Sequence, residues 1–259
     1  MYRIFVLISV KNLYYCPVKS VSFSKSNELF IIKNIGIKND RIFVFTKNLD
    51  AKKTQSLLTN PNQRKLNNFL TLKNTPELNE FNFEYIDNKL IFKNKNEPIL
   101  IINPSKKIDI NKICNKIEML IFNKQNINLL SDFKNPFFDT MPNNSISLIN
   151  ISSVNDFASK INKKIEYERF RSNIYIKGLD PWVERSWINK IIKINNVSFL
   201  ITNNIPRCSA TNLQPNTSNV TMNLPLELKK IYNHIDMGIY LLPLNDGSIK
   251  IDDQLNLND

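Results

Sequence analysis

Glycine is scarce in this chain of 259 residues, which has only Gly36, Gly178, Gly238 and Gly247. Four isolated glycines form neither a phosphate-cradling loop nor a dinucleotide-binding turn. Histidine is scarcer still, with His234 alone. That removes multi-histidine metal sites. Any Ser-His-Asp arrangement would have to use His234, with no Gly-x-Ser-x-Gly elbow to present the serine. The three cysteines, Cys16, Cys114 and Cys208, lie far apart without a Cys-x-x-Cys spacing. This argues against a zinc ribbon, an iron–sulfur cluster and a secreted disulfide framework. Long apolar runs are missing as well. The opening ten residues are apolar but fall far short of the ~20 that a spanning helix needs. They lack a small-residue cleavage site, and their β-branched and aromatic side chains suit a strand. The expectation is a cytoplasmic protein with no export and no membrane span.

Basic residues are plentiful, with 35 Lys+Arg against 23 Asp+Glu and a net charge of +12. The lysines are scattered among many Asn and Ile residues, and no basic stripe or aromatic–basic interleaving stands out. A nucleic-acid partner is therefore not expected. Hydrophobic content of 42% fits a globular protein, and the length allows one large domain or two modest ones.

Periodicity predicts strands at 2–10, 28–32 and 41–46, the last two joined as a hairpin through Gly36. A short helix is expected at 61–69. Strands 81–86 and 89–92 flank an Asp87-Asn88 turn. A helix is expected over 106–122, with Cys114 packed beside its apolar stripe, and a polar, proline-broken stretch over 123–144. A strand at 145–149 precedes a helix capped by Ser152 or Ser153. Short strands then recur at 174–176, 188–194, 197–202, 237–242 and 248–251, with a helix at 224–232 that starts around Pro225. Many short strands with few helices suggest a barrel.

One stretch stands apart, residues 205–217, Ile-Pro-Arg-Cys-Ser-Ala-Thr-Asn-Leu-Gln-Pro-Asn-Thr. It is a strand end entering a polar loop, with Cys208 beside the Arg207 guanidinium. A neighbouring cation favours thiolate, the form that attacks electrophiles and binds metals. From the loop alone, a small buried hydrophobe is the other reading of Cys208.

Arg207-Cys208-x-x-Thr211 followed by Pro215-x-Thr217 resembles the signature loop of the MOSC domain family, named after the C-terminal part of molybdenum cofactor sulfurase. Pro17-Val18-Lys19-Ser20 resembles the segment that opens the family's N-terminal region. Gly36-x-x-x-Asp40-Arg41 resembles its Gly-x-x-x-Asp-Arg turn, and Arg169-Phe170-Arg171-Ser172-Asn173 its Arg-Phe-Arg-Pro-Asn motif. Glu184-x-x-Trp187 follows, and Met237-Gly238 with Gly247–Asp253 resembles a closing hairpin. Two departures stand out: Ser172 replaces the common proline, and Gln214-Pro215-Asn216-Thr217-Ser218 replaces Asp-Pro-x-Thr-Gly.

The resemblance implies a mixed α+β, β-rich fold: an N-terminal β-barrel-like region over 1–105 and a MOSC β-barrel domain over 106–259. It implies the molybdenum cofactor (molybdenum bound to molybdopterin), with Cys208 as metal ligand and catalytic residue. Lys19, Ser20, Arg41, Arg171, Asn173, Arg207 and Thr211 are the cofactor-binding positions. A soft thiolate complements a sulfur-rich metal group, and arginine forks suit phosphate and pterin carbonyls. Each polar residue also has a plainer reading. Lys19 and Arg41 could be solvated strand-end charges, Arg171 could pair with Glu184, and Asn173 could hold a turn. Trp182, Glu184 and Trp187 read as structural. Asn150 and Ser153 fall where the family often has hydroxyls near the cofactor, and Cys16 lies beside Lys19-Ser20.

Two functions follow from the resemblance. One is an oxidoreductase that reduces small N-hydroxylated or N-oxygenated substrates, with electrons from an external ferredoxin- or flavin-type protein. The other is a non-enzymatic carrier of cofactor or of persulfide sulfur. Neither a cysteine-rich ferredoxin-like tail nor a pyridoxal-phosphate desulfurase domain is expected within this sequence.

Overall fold

The computed structural model describes residues 7–95, 97–121, 126–137 and 146–258. The start of the expected first strand, Phe122, most of the 123–144 stretch and Ser145 lie outside the described residues.

Among the described residues, sixteen strands and four α-helices make a mixed α+β, β-rich fold. The strands of the first half are β1 (Ser9–Tyr15), β2 (Ser24–Ser26), β3 (Glu28–Ile32), β4 (Gly36–Ile37), β5 (Phe43–Lys47), β6 (Phe81–Ile86), β7 (Lys89–Asn94), β8 (Glu97–Ile102) and β9 (Ile127–Ser131). Those of the second half are β10 (Ile146–Asn150), β11 (Ile174–Lys177), β12 (Ile191–Ile194), β13 (Val197–Pro206), β14 (Asp236–Pro243), β15 (Gly247–Lys250) and β16 (Leu255–Asn258). The helices are α1 (Ala51–Thr59), α2 (Lys107–Leu120), α3 (Ile151–Lys160) and α4 (Leu224–Tyr232). None of them is long and apolar enough to cross a membrane.

The largest sheet has eight strands in the order β16-β12-β13-β14-β10-β11-β1-β2. It is antiparallel except for β10 and β11, which run parallel because α3 provides the crossover between them. At one end, Ser9 of β1 bridges Gln254 just before β16, and Leu255 N–H donates to Ile8 O at 2.9 Å. The two flanks of the sheet therefore approach each other there.

Several expectations need correcting. Strand β3 does not pair with β5. It pairs with β4 and with the distant β15, while β5 pairs with β9. Gly36 turns the chain as expected, but into a two-residue strand rather than across to β5. Nor do β14 and β15 close a hairpin on each other, since β14 lies between β10 and β13. The expected 61–69 helix is two 3₁₀ turns, and the true helix is α1, capped where Asp50 Oδ1 accepts the Lys53 N–H at 2.6 Å. Helix α3 is capped by Asn150 rather than by either serine, its Oδ1 accepting the Ser152 N–H at 3.1 Å. The Asp87-Asn88 hairpin is as expected, with both residues at positive φ, the backbone of a primed two-residue turn.

Apolar side chains gather in separate buried clusters. One joins Cys16, Val18 and Val21 to β5–β9, to Ile113, Cys114 and Ile117 of α2, and to Leu213. A second lies on the large sheet, from Val10 and Leu13 through Ile174, Trp187 and Phe199 to Leu255. A third sits under α3 and α4, around Phe157, Phe170, Tyr175 and Leu228. Residues from both sides of position 105 mix in the first two clusters.

Candidate functional site

Strand β13 ends at Pro206, and the chain then turns through Arg207 and Cys208 into a 3₁₀ turn over Ser209–Asn212. Cys208 is exposed, whereas Cys16 and Cys114 are buried. The turn is closed on its own backbone, Thr211 N–H and Oγ1 donating to Cys208 O at 3.1 and 2.9 Å. Further along, Ala210 and Leu213 pack into the cluster that holds Cys16, Val18 and Val21. Burying a leucine side chain stabilises by about 2 kcal/mol, so Leu213 alone gives the loop a firm anchor beside the Lys19-Ser20 segment.

Arg207 is buried, and its guanidinium faces inward. Nε donates to Met237 O at 2.8 Å, Nη2 donates to the same carbonyl, and Nη1 donates to Phe170 O at 2.8 Å. It ties β14 and the Arg-Phe-Arg segment to the base of the Cys208 loop. Asn173 is likewise engaged within the protein. Its Oδ1 accepts from Ser147 N and Oγ at 3.2 and 2.9 Å, and its Nδ2 donates to Tyr14 O at 3.2 Å and to Asp40 Oδ2 at 3.4 Å.

Lys19 and Ser20 follow the bridge between Val18 and Phe43, with Lys19 buried and its N–H bonded to Phe43 O at 2.8 Å. Arg41 leaves the next turn, paired with the fully buried Asp40. Burial pushes the Asp40 pKa up, and Arg41 and the Cys16 N–H, bonded at 2.6 Å, oppose that shift. Arg171 reaches the same region from the other half of the chain. Its Nη2 donates to Val21 O at 2.7 Å and its Nη1 to Asn79 Oδ1 at 3.3 Å. Arg41 and Arg171 both lie over the Phe23 ring, at 5.1 and 4.8 Å from its centroid. Ser20, Arg41 and Arg171 all have positive φ, at 66, 53 and 51°. Left-handed backbone at non-glycine residues costs free energy and concentrates where surrounding structure imposes a working geometry.

The structure thus brings Lys19, Ser20, Arg41, Arg171 and Asn173 together through Asp40, Phe23 and Val21. Arg207 and Thr211 shape the loop that carries Cys208. Arg171 does not pair with Glu184. That buried carboxylate instead accepts from Ser153 Oγ at 2.7 Å and from Asn150 Nδ2 at 3.1 Å, and burial pushes its pKa up. Asn150 and Ser153 therefore serve this internal network.

Asn79 is the residue that sequence reading missed. Buried in a 3₁₀ turn, it donates through Nδ2 to Gln214 O at 2.9 Å and Thr217 O at 2.8 Å, and accepts from Arg171 and from Ser22 Oγ at 3.2 Å. It fastens the loop after Cys208 to Arg171 and the Ser22 segment. An Asn in a polar run carries no signal of such a role. Beside it lies a cavity of about 440 Å³ between Phe23, Asn79, Glu168, Arg171, Tyr175 and Pro215. Of the expected site residues only Arg171 lines it.

Burial pushes both the Cys16 and the Cys114 thiol up to about 11, the nearby Arg171 and Arg41 charges only partly offsetting this for Cys16. At pH 8 each would be thiolate in roughly one molecule per thousand. A disulfide reagent added to native protein at that pH is therefore expected to modify one thiol per chain quickly, and Cys208→Ser is expected to remove that fast phase. Fast modification of two or three thiols would contradict the burial.

Residues 138–256 match the family model of the MOSC domain. The molybdenum cofactor sulfurase of Caenorhabditis elegans is 29% identical over 92% of this chain and 34% of its own length. Human mitochondrial amidoxime-reducing component 1 is 29% identical over 47% of this chain and 38% of its own. The chain thus spans about a third of the length of these curated relatives. A solved structure, the YUAD protein of Bacillus subtilis, aligns with 96% of this chain and 93% of its own, at 12% identity and a TM-score of 0.47.

Proposed function

Starting from a chain whose residues 138–256 match the MOSC domain family, we propose that it holds the molybdenum cofactor and reduces small N-hydroxylated or N-oxygenated compounds. The observation that carries this reading is the single exposed thiol, Cys208, on a loop whose Ala210 and Leu213 share a buried cluster with Val18 and Val21, the residues that flank Lys19 and Ser20.

The residues fit the group. Among the described residues no three His, Cys, Asp or Glu side chains gather to hold a metal ion. A lone accessible cysteine sulfur instead suits a metal that arrives with other sulfur ligands already attached. When bound, the cofactor would supply a molybdenum centre able to take up an oxygen atom with two electrons. Cys208 would hold the metal. Lys19, Ser20, Arg41 and Arg171 would hold the phosphate and pterin edges through charge-assisted hydrogen bonds. Asn173, Arg207 and Thr211, whose side-chain groups bond within the protein, would keep the loops in place. Phe23 would keep the Arg41 and Arg171 guanidiniums at a fixed spacing.

The finer architecture belongs to the same proposal. The eight-stranded sheet would be the MOSC β-barrel, a reading supported by the Ser9–Gln254 bridge. A division into an N-terminal region over 1–105 and a MOSC domain over 106–259 remains part of it.

The exposure of Cys208 also suits the second reading, a carrier with a persulfide on that sulfur. Molybdenum and pterin analysis of protein purified from a molybdenum-replete host separates the two. About one metal and one pterin per chain is the outcome expected for the first. Metal-free protein with persulfide on Cys208 would favour the second.

Electrons would come from a separate protein. Three scattered cysteines, one histidine and four isolated glycines give these 259 residues no iron–sulfur, bis-His haem or dinucleotide site. Loaded protein given an N-hydroxylated substrate and NADH is expected to turn over only when a ferredoxin- or flavin-type reductase is added. Sustained NADH oxidation by the chain alone would overturn this point.

A further inference from the structure

The cavity beside Asn79 has a charge arrangement of its own. Four ionisable side chains of fixed charge line it, Lys25, Arg171, Glu166 and Glu168. Arg171 directs its guanidinium to Asn79, Val21 O and the Phe23 face. Lys25 is exposed. Glu166 is paired with Arg169 Nε at 2.7 Å. Glu168 is different: none of the ion pairs among the described residues falls on it, and its partner on the cavity wall is the Tyr14 hydroxyl, donating to Oε1 at 3.4 Å. A carboxylate with two oxygens can accept about four hydrogen bonds, so Glu168 keeps acceptor capacity toward the cavity.

The surrounding wall is aromatic. Tyr14 meets Tyr175 edge-to-face, with ring centroids 5.6 Å apart, Tyr175 packs on Tyr167 at 4.8 Å, and Phe23 also lines the space. A carboxylate beside aromatic side chains is the chemistry that recognises an organic ammonium ion, through charge-assisted hydrogen bonds and cation–π attraction. The volume of about 440 Å³ is that of a small-molecule site. A chain carrying +12 repels cations at long range, so such binding has to come from these local groups.

We propose that this cavity binds a small organic ammonium ion with a flat apolar body. The cationic group lies against Glu168 and the Tyr14 hydroxyl, and the body lies along the aromatic wall at Tyr14 and Phe23. The cavity borders the proposed cofactor site, sharing Arg171 and Phe23 with it, while Tyr14, Glu168 and Tyr175 have no part in holding that group.

The test is calorimetric titration of the Cys208→Ser full chain with benzylammonium, benzyl alcohol and benzoate, three probes of one size that differ in charge. Working with that variant keeps the outcome independent of whether cofactor binds. Benzylammonium is expected to bind at least about tenfold more tightly than benzyl alcohol, and benzoate not to bind. Adding Glu168→Gln is expected to remove the preference for the cation, whereas Glu166→Gln keeps it within about threefold. Tyr14→Phe is expected to weaken benzylammonium a few-fold. Equal binding of benzylammonium and benzyl alcohol, preferential binding of benzoate, or no binding of benzylammonium overturns the proposal. The comparison of probes on one protein needs no further variant. An unchanged cation preference in a folded Glu168→Gln protein overturns it equally.

Discussion

Replacing Cys208 with serine is expected to lower the molybdenum content of purified protein at least about tenfold, while Cys114→Ser leaves it within about twofold. The contrast rests on chemistry and on position. A serine hydroxyl is a hard oxygen donor that stays protonated at neutral pH, so it replaces neither the charge nor the softness of a thiolate. Cys208 is exposed and belongs to none of the buried clusters found among the described residues, so its loss should leave the fold intact. Cys114 sits on the buried face of α2, and burial holds its thiol protonated, with a pKa of about 11. Its replacement would cost stability, on the order of 1 kcal/mol for a buried hydroxyl, without touching the metal. Cys16→Ser should behave like Cys114→Ser, because the Cys16 sulfur already donates to Val18 O at 2.8 Å inside the core. Metal analysis with a parallel thermal melt decides the matter. Equal molybdenum in the Cys208 and Cys114 variants would sink the ligand assignment.

Gly238→Ala is expected to be strongly destabilising. Gly238 has φ +82°, a backbone region that side-chain-bearing residues seldom adopt. A Cβ there would stand within contact distance of the Leu148 carbonyl and 2.6 Å from Ile149 Cγ1, with Arg207 Nη2 at 3.4 Å. The first of these is backbone in the paired strand β10, where Leu148 faces Ile239, so it cannot move aside without opening the ladder. Overpacking combined with a forced backbone costs roughly 3–5 kcal/mol, enough to lower the melting temperature of a chain of this size by about 10 °C. The same shift would displace Met237 O, which anchors Arg207 beneath the Cys208 loop. Gly247→Ala is the fitting control. The atoms nearest its Cβ would be side-chain atoms, Val197 Cγ2 at 2.7 Å and Asn196 Oδ1 at 2.9 Å, rather than a strand carbonyl. A smaller loss is expected, about 1–2 kcal/mol. Equal melting temperatures for the two variants would show that the β10–β14 approach is looser than described.

The limits of sequence reading follow from which interactions are local. The Asp87-Asn88 hairpin, helix α4 behind Asn223 and Pro225, and the apolar stripe of α2 were all legible, because periodicity, caps and turn residues act within a few positions. The ordered motifs around Lys19, Arg41, Arg171 and Cys208 could also be read as a set. Pairing across long distances could not. That β3 takes β15 as a neighbour, and β5 takes β9, depends on which apolar faces meet after the chain has collapsed, and alternation along one strand does not name its partner. The sequence by itself determined the mixed, strand-rich class, the family resemblance and the singling out of Cys208. Only the tertiary structure decided that Arg207 and Asn173 turn inward, that Asn79 joins the Cys208 loop to Arg171, and that Glu168 lines a cavity beside Tyr14. A polar side chain has the same donors and acceptors wherever it sits, and its role is fixed by the carbonyls, carboxylates and rings that folding places around it.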